Sequence, residues 1–278
     1  MDKDINKMNN KFKCNNCGNQ FISDTILEKC LLCNSLVTKI DSDNNYNTFY
    51  LKPFIKTKED VIKDYKKCVF FNPLIPLKFK SKKVSSSVNK IYLISSVNNY
   101  TVSGSTKFSY VNNKKKWEIV NTVNFTYKNI LNCNNNELEK LIDKINDNNY
   151  DNLVMFSNNY LNDCILLEGN LKEEDFYNKI SKSIVKTSLK MINDNISYDN
   201  KKLVENNLDV TCGEYKNILI PIYLISVNYK GNNYFYLMNG FSGKSIINLT
   251  YGKSELFIFS FILFSIIFLI GFCIAYLF

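Results

Sequence analysis

Four cysteines near the start of the sequence have the residue type and spacing of a metal site. They form two Cys-x-x-Cys pairs with twelve residues between the pairs. Four thiolates satisfy a tetrahedral Zn²⁺ ion completely, at Zn–S distances of about 2.3 Å. The expected ligands are Cys14, Cys17, Cys30 and Cys33. We therefore predict one structural zinc ion in a zinc ribbon that spans residues 1–40.

The residues that follow each pair agree with this prediction. In a metal-binding turn, the residue after the second cysteine often has a left-handed backbone. Here these residues are Gly18 and Asn34, which belong to the types that adopt positive φ most readily. The twelve intervening residues are enough for one strand out and one strand back, so the two turns can face each other.

Two other roles for paired cysteines are a disulfide and a redox-active pair. A redox pair normally begins a helix in a βαβ unit and is not duplicated at this spacing. Disulfides need an oxidising compartment, whereas the chain has five further cysteines, an odd number that favours a reduced cytoplasm. They are Cys68, Cys133, Cys164, Cys212 and Cys273. We expect these five to be small core residues.

The composition argues against most enzyme classes. The 278 residues include no histidine, which removes Ser-His and Cys-His nucleophiles and the usual neutral-pH proton carrier. Nine glycines are scattered along the chain, and none belongs to a GxxxxGK[ST] phosphate loop. We therefore expect no catalytic residues, no bound organic cofactor and no small-molecule substrate.

The charge favours anionic partners. The formal net charge is +9, and basic runs lie at Lys78–Lys83 and Lys114–Lys116. Such runs suit either an anionic lipid surface or nucleic acid. The alternative is that they are ordinary solvated faces of the fold.

The carboxyl-terminal segment predicts a membrane anchor. Leu256–Phe278 contains 23 residues without one charge, and a helix of this length covers about 34 Å, enough for a hydrocarbon core of about 30 Å. Lys244 and Lys253 lie just before it, so the positive-inside rule predicts that residues 1–255 are cytoplasmic. No apolar signal segment opens the sequence. We expect a tail-anchored, single-pass membrane protein.

Between these ends the patterns indicate an α+β body. Thr57 and Asp60 have the spacing of a capping box before a helix that Pro73 ends. Residues 90–130 alternate β-branched or aromatic residues with polar ones, which predicts strands. Residues 136–145 and 173–192 predict two helices, the second with an apolar stripe that favours core packing over a coiled coil.

The last part of the body predicts a β-meander. Residues 217–230, 234–238 and 244–250 are strand-like, and they are separated by turn signals. Asn239 and Gly240 form the strongest of these signals, because both residue types accept positive φ.

The order of these segments resembles a family of bacterial membrane-associated zinc-ribbon proteins, often labelled transcription-factor-IIB-type. Their pattern includes a Pro-Phe-led helix and a closing hairpin of the form "LP(V/I)(W/Y)…Y.GK.Y…NGQTGK". The residues here that match the hairpin are Pro221, Tyr223, Tyr229, Gly231, Tyr234, Asn239, Gly240, Gly243 and Lys244. The family pattern has Gln-Thr where this sequence has Phe241-Ser242. In an earlier strand it has Pro and an aromatic residue where this sequence has Ile94-Ser95. The resemblance implies a non-catalytic scaffold, and some relatives look like partners of band-7-type and phage-shock-protein-A-type membrane-stress proteins.

Together these observations predict an α+β fold with an N-terminal four-cysteine zinc ribbon, an antiparallel-sheet body and one transmembrane helix. The predicted units are the ribbon at 1–40, a linker at 41–52, the body at 53–250 and the membrane helix at 256–278. The favoured function is an adaptor that docks cytoplasmic or membrane proteins at the bilayer, and the resemblance implies a role in a membrane-stress response. The rival function is a membrane-tethered, transcription-related ribbon that binds nucleic acid.

Overall fold

The computed structural model describes residues 10–40, 49–112, 115–133, 135, 137–151, 153–157, 160, 163–170, 173–197 and 200–277.

The described residues form six helices and one large sheet. The helices are α1 (Lys58–Phe70), α2 (Leu77–Lys80), α3 (Lys82–Ser86), α4 (Glu139–Ile145), α5 (Glu173–Asn195) and α6 (Lys253–Leu277). The strands are β1 (Asn10–Cys14), β2 (Gln20–Ser23), β3 (Val37–Ile40), β4 (Tyr50–Leu51), β5 (Asn89–Asn112), β6 (Lys115–Cys133), β7 (Val154–Met155), β8 (Ile165–Glu168), β9 (Lys202–Tyr229), β10 (Asn232–Asn239) and β11 (Ser245–Ile247).

Within those residues the eleven strands belong to one sheet, whose main path runs β11-β10-β9-β5-β8-β2-β1-β3. Most neighbours are antiparallel, as the sequence predicts, but β5 pairs with β8 and β4 pairs with β9 in parallel. β6 joins the sheet beside β5, and β7 joins beside β4. The α+β class and the antiparallel character of most of the sheet are therefore confirmed.

The sheet of the body is covered on both faces. Residues 218–225 of β9 form an unbroken buried run, which is the pattern of a strand with no solvated face. Ile222 and Leu224 pack with α4 residues on one face, whereas Tyr223 and Ile225 pack with Val61 of α1 on the other. The body thus has three layers, with α1–α3 and α4 on opposite sides of the sheet.

The long strands continue beyond the body as a three-stranded extension. Strand β6 pairs with residues 97–112 of β5, and the first half of β9 pairs with them on the other side as far as Ser109. At about 3.3 Å per residue the 97–112 stretch reaches about 50 Å. Ile184 and Ile192 of α5 pack on one face of the extension, against Val102 and Phe108 of β5. The predicted core packing of the α5 stripe is confirmed at these positions.

The opposite face of the extension is polar. Thr101 lies between Thr126 and Thr211 in the register, and Ser103 lies between Asn124 and Asp209. This alternation is typical of an antiparallel ribbon with one face packed and the other in water.

Several local predictions are confirmed. Thr57 caps α1 in a complete capping box with Asp60, and α4, α5 and the β9–β11 meander lie where the patterns indicate. The sequence missed β8 and placed the start of β9 about fifteen residues too late. The predicted linker lies partly outside the described residues, over 41–48, and Tyr50 and Leu51 form β4.

The closing hairpin turns where predicted, but Gly243, with φ of 77°, has the positive φ expected of Asn239 and Gly240. The Asn-Gly pair instead makes a close backbone contact. The Asn239 side-chain oxygen accepts from the backbone N–H groups of Phe241 and Ser242 at 2.9 and 3.0 Å. The backbone N–H groups of Ile55 and Lys56 both donate to the carbonyl oxygen of Gly240 at 2.8 Å. A Cβ atom at Gly240 would lie 2.3 Å from the ring of Phe54. Glycine is required here because the Pro-Phe segment rests directly on the turn.

We expect Gly240→Ala to destabilise the full chain by about 1–3 kcal/mol, because the new methyl group overpacks the contact with Phe54. The measurement is chemical denaturation in detergent micelles. Gly213→Ala is the matched control, since its Cβ would meet nothing closer than 3.4 Å. Adding Phe54→Leu should recover part of the loss in Gly240→Ala, and equal stability of the two glycine variants would contradict this account.

Candidate metal centre

The four predicted ligands meet in one cluster. The sulfur atoms of Cys14, Cys17, Cys30 and Cys33 all lie within 4.8 Å of one another. The Cys14–Cys33 sulfur distance is 3.4 Å, and the Cys17–Cys30 and Cys17–Cys33 distances are both 3.6 Å. A tetrahedral ion with metal–sulfur bonds of about 2.3 Å needs sulfur atoms about 3.8 Å apart. The cluster is therefore compact enough to bind one metal ion, and its four thiols are free of disulfides.

The two cysteine turns repeat the same backbone pattern. Gly18 N–H donates to the Cys14 carbonyl at 3.1 Å, and Asn34 N–H donates to the Cys30 carbonyl at 3.0 Å. Gly18 has φ of 73° and Asn34 has φ of 63°, so the predicted left-handed residues are confirmed. In each turn the chain reverses so that both sulfur atoms point to one centre.

Backbone N–H groups also point at the sulfur atoms. Asn16 donates to the Cys14 sulfur at 3.4 Å, and Leu32 donates to the Cys30 sulfur at 3.4 Å. Hydrogen bonds of this kind favour the thiolate over the thiol. They also fix the direction of each ligand before a metal arrives.

A chain of buried amides supports Cys17. The Asn19 side-chain amide donates to the Cys17 sulfur at 3.2 Å, and the Asn135 amide donates to the Asn19 side-chain oxygen at 2.7 Å. Both asparagines are fully buried. The Asn135 oxygen in turn accepts from the backbone N–H of Leu138, just before α4. Asn170 donates to the Cys17 carbonyl at 3.0 Å, so two body segments hold the same ligand.

These asparagines were not predicted from the sequence. Asn19 lies two residues after a ligand, which is a usable signal, but Asn135 and Asn170 are more than 100 residues away. In a chain so rich in asparagine, no local pattern separates them from loop residues.

Interactions within the cluster shift the pKa values of Cys17 and Cys30 in opposite directions. The hydrogen bond with the Cys30 thiol, helped by the Asn19 amide, lowers the pKa of Cys17 to about 4, although burial opposes the shift. The same interaction with Cys17, together with burial, raises the pKa of Cys30. Burial and the negative charge of Cys17 also raise the pKa of Glu137. The cluster therefore favours negative charge on sulfur atoms that are partly or fully buried. A bound cation would neutralise this charge.

The cysteine segment, residues 10–40, is built into the sheet of the body. Its strand β2 pairs with β8 from Gln20↔Glu168 to Ile22↔Leu166. Cys14, Cys30 and Leu32 pack in the same core as Leu93 of β5 and Ile142 of α4. An ion pair between Lys11 and Glu168, 2.7 Å long, adds a contact at the same junction.

The other cysteines do not form a second cluster within the described residues. Cys133 and Cys164 are buried and Cys68 is partly buried, as expected for core residues. Cys212 is exposed, so the prediction of a core position is wrong there. It lies on the first half of β9, which projects beyond the body. The side chain of Cys273 lies outside the described residues.

The carboxyl-terminal helix has the properties of a membrane span. Its stretch Glu255–Phe272 is long and apolar enough to cross a bilayer, and none of these 18 residues is buried in the fold. Phe278, the last residue of the predicted span, lies outside the described residues. In water, a helix that is apolar all round would normally be buried.

No family model, no curated protein and no solved structure matches this chain. The family suggested by the closing hairpin therefore stays a prediction.

We expect the purified full chain to contain about one metal ion, and Cys17→Ser to lose it. Because the cysteine segment shares a core with the body, the loss should also lower the unfolding midpoint of the whole fold. Elemental analysis under reducing conditions and thermal unfolding measure the two effects. Cys212→Ser is the matched control, since this thiol is exposed and outside the cluster. Equal metal content in both variants would refute the site.

Replacing Asn19 by Ala should weaken metal binding by about 10–100-fold while leaving all four ligands in place, as loss of a supporting hydrogen bond usually does. Competition with a chromophoric chelator measures this change. Asn146→Ala serves as a control, because its side chain bonds only Asn148 and Tyr150 among the described contacts. If Asn19→Ala has the affinity of the unaltered chain, the amide does not position Cys17.

Proposed function

We propose that this chain is a membrane-anchored zinc-ribbon adaptor that docks cytoplasmic partner proteins at the membrane surface. The observation that carries the proposal is the pairing of two features in one chain. One is a four-thiol cluster inside the core of the body, and the other is an apolar helix of which no residue in Glu255–Phe272 is buried. The proposal assigns no reaction to the protein.

Zinc is the metal that fits the ligand set best. Four thiolates in a compact tetrahedral arrangement are typical of structural zinc sites, and softer ligands select zinc over magnesium or calcium. A site with four protein ligands leaves no open position for water or substrate. The role proposed for the ion is therefore to stabilise the fold.

The anchor follows from the length and surroundings of α6. Its 25 residues reach about 37 Å as a helix, which is enough to cross a hydrocarbon core of about 30 Å with some tilt. Lys253 begins the helix, and by the positive-inside rule this end faces the cytoplasm together with the body. Confinement beside the bilayer raises the effective concentration of the body for partners that assemble there.

The extension is the surface proposed to meet a partner. It reaches about 50 Å beyond the body, and among the described residues β6 pairs only with β5. Near its tip, Trp117 is 53% and Leu203 is 44% exposed. They pair with Tyr110 and Phe108 of β5, so both lie on the same face of the extension. Exposed aromatic and aliphatic side chains in one place are the usual anchors of a protein interface. The resemblance stated above adds the expectation that the partner belongs to a membrane-stress system.

The adaptor proposal predicts partner capture that depends on the tip. Full-length protein purified from gently solubilised membranes should retain a defined set of cytoplasmic proteins, identified by mass spectrometry. The variant Trp117→Ser/Leu203→Ser should lose them, because it removes exposed apolar area without touching the core. Met155→Ser is the matched control, since it removes a side chain of similar exposure, 67%, away from the extension. Identical partner sets for all three proteins would overturn the docking role of the tip.

The same preparation separates the adaptor from its nucleic-acid-binding rival. We expect no binding of labelled DNA or RNA at low micromolar protein in about 150 mM salt, where contacts that depend only on charge are screened. Sub-micromolar, sequence-dependent binding that Cys17→Ser abolishes would favour the rival.

A further inference from the structure

Three exposed apolar side chains lie on the segment that bonds the residue before α6. Phe71 is 86% exposed, Leu77 is 76% exposed and Phe70 is 50% exposed. The buried face of α1 is formed by other residues, Val61, Tyr65 and Val69, so none of the three is needed to close that core. We call Phe70, Phe71 and Leu77 the Phe71 surface.

A hydrogen bond fixes this surface next to the apolar helix. The backbone N–H of Gly252, the residue before α6, donates to the carbonyl oxygen of Leu74 at 3.0 Å. Leu74 is three residues from both Phe71 and Leu77 along the chain. Leu249, which leads into the helix, packs against the core cluster that contains Val69 and Phe79. The apolar helix therefore starts beside the Phe71 surface.

The segment that carries the surface is basic, and the acid at its junction with α6 is Glu255, in the first turn of that helix. Residues 66–83 contain six lysines and no Asp or Glu. The lysines are Lys66, Lys67, Lys78, Lys80, Lys82 and Lys83. Lys80 donates to the Asn72 carbonyl at 2.9 Å, which holds it close to the loop that carries Phe71. The nearest acid on α1, Asp64, is occupied by hydrogen bonds from Tyr236 and Ser245.

We infer that the Phe71 surface lies in the interfacial layer of a bilayer that contains anionic lipids. Phe71 and Leu77 enter the region between headgroups and acyl chains, and the lysines contact the lipid phosphates. Phe and Leu side chains beside basic residues bury at the boundary between headgroups and acyl chains, and lysines beside an apolar span favour anionic headgroups. The inference rests on the anchoring part of the proposed function, because α6 brings the surface to the bilayer.

This arrangement gives the body a defined orientation. A single helix would leave the body free to swing about residues 250–252. A second contact beside the helix limits that motion and fixes which face of the sheet points away from the lipid. The other basic run starts β6 at Lys115 and Lys116, at the far end of β5. It therefore lies at the opposite end of the extension from the Phe71 surface.

The test uses the single tryptophan of the chain. Full-length protein is reconstituted in nanodiscs that contain anionic lipids with brominated acyl chains, which quench tryptophan fluorescence on contact. In the unaltered chain Trp117 lies at the tip of the extension and should not be quenched. In Trp117→Phe/Phe71→Trp, we expect emission to fall at least twofold with bromine near the headgroup. Trp117→Phe/Phe264→Trp, which reports on α6, should be quenched by bromine deep in the chains.

The outcomes are distinct. Quenching of the Phe264→Trp reporter without quenching at position 71 overturns the inference and leaves the anchor in place. Absence of quenching at both positions overturns the anchor and the inference together. A blue-shifted but unquenched emission at position 71 means that protein, such as a second copy, covers the surface, and this also overturns the inference.

A separate experiment tests the contact between the lysines and the anionic headgroups. Lys82→Glu/Lys83→Glu in the Phe71→Trp reporter should at least halve the quenching, and so should nanodiscs made with zwitterionic lipid alone. Lys128→Glu, on β6 of the extension, reverses a charge away from the surface and should have no effect. Equal quenching in all four samples would refute the contact with anionic headgroups.

Discussion

The antiparallel pairing of β5 with β9 is the contact on which the rest of the structure depends. It runs from Asn89↔Leu224 to Ser109↔Lys202, with two irregular positions. One end of the pair is the centre of the body, buried on both faces, and the other end is the extension. Every other strand of the sheet joins one of these two strands directly or through a series of paired strands. A change that disturbs their register would move side chains between the two faces of the sheet.

This pairing also explains why the cysteine segment belongs to the body. β8 pairs with β5, and β2 pairs with β8, so the thiol cluster is two strands away from the centre of the sheet. A segment of about 30 residues cannot stabilise itself by its own core, and metal or tertiary contacts must supply the difference. Here the tertiary contacts are present, because Cys14 and Cys30 are themselves core residues, and an ion held by the four sulfur atoms would add to them.

Features that depend on neighbours in the sequence were the ones that the sequence predicted well. The capping box at Thr57, the positive φ of Gly18 and Asn34, and the ligand set all follow from spacing within a few residues. Features that depend on distant partners were missed. The pairing of β2 with β8 joins residues about 145 positions apart, and short apolar runs such as "CILLEG" do not reveal their partner. The length of β9 was underestimated because its first half, with Asn206, Asn207 and Gly213, has weak β-propensity and is held in place by β5.

Buried polar contacts between distant residues were likewise not predicted from the sequence. Lys52 is 6% exposed and pairs with Asp147 at 2.9 Å, a contact across 95 residues that no pattern of charges indicates. The contact between Phe54 and Gly240 also joins distant residues, but the sequence predicted it in part. The family resemblance includes both a Pro-Phe segment and an Asn-Gly turn, although it does not say that they touch. The structure shows that they do, because the ring rests on the turn.

Helix α4 connects the thiol cluster to that turn. At its start Asn135 holds Asn19, and through it the Cys17 sulfur. At its end the carbonyl of Ile145 accepts from the Asn239 side chain at 3.3 Å, and Asn239 shapes the turn on which Phe54 rests. The position of Cys17 and the position of the closing hairpin therefore depend on the same short helix. An ion bound at the cluster would fix Cys17, and its stabilisation would therefore reach the closing hairpin through α4.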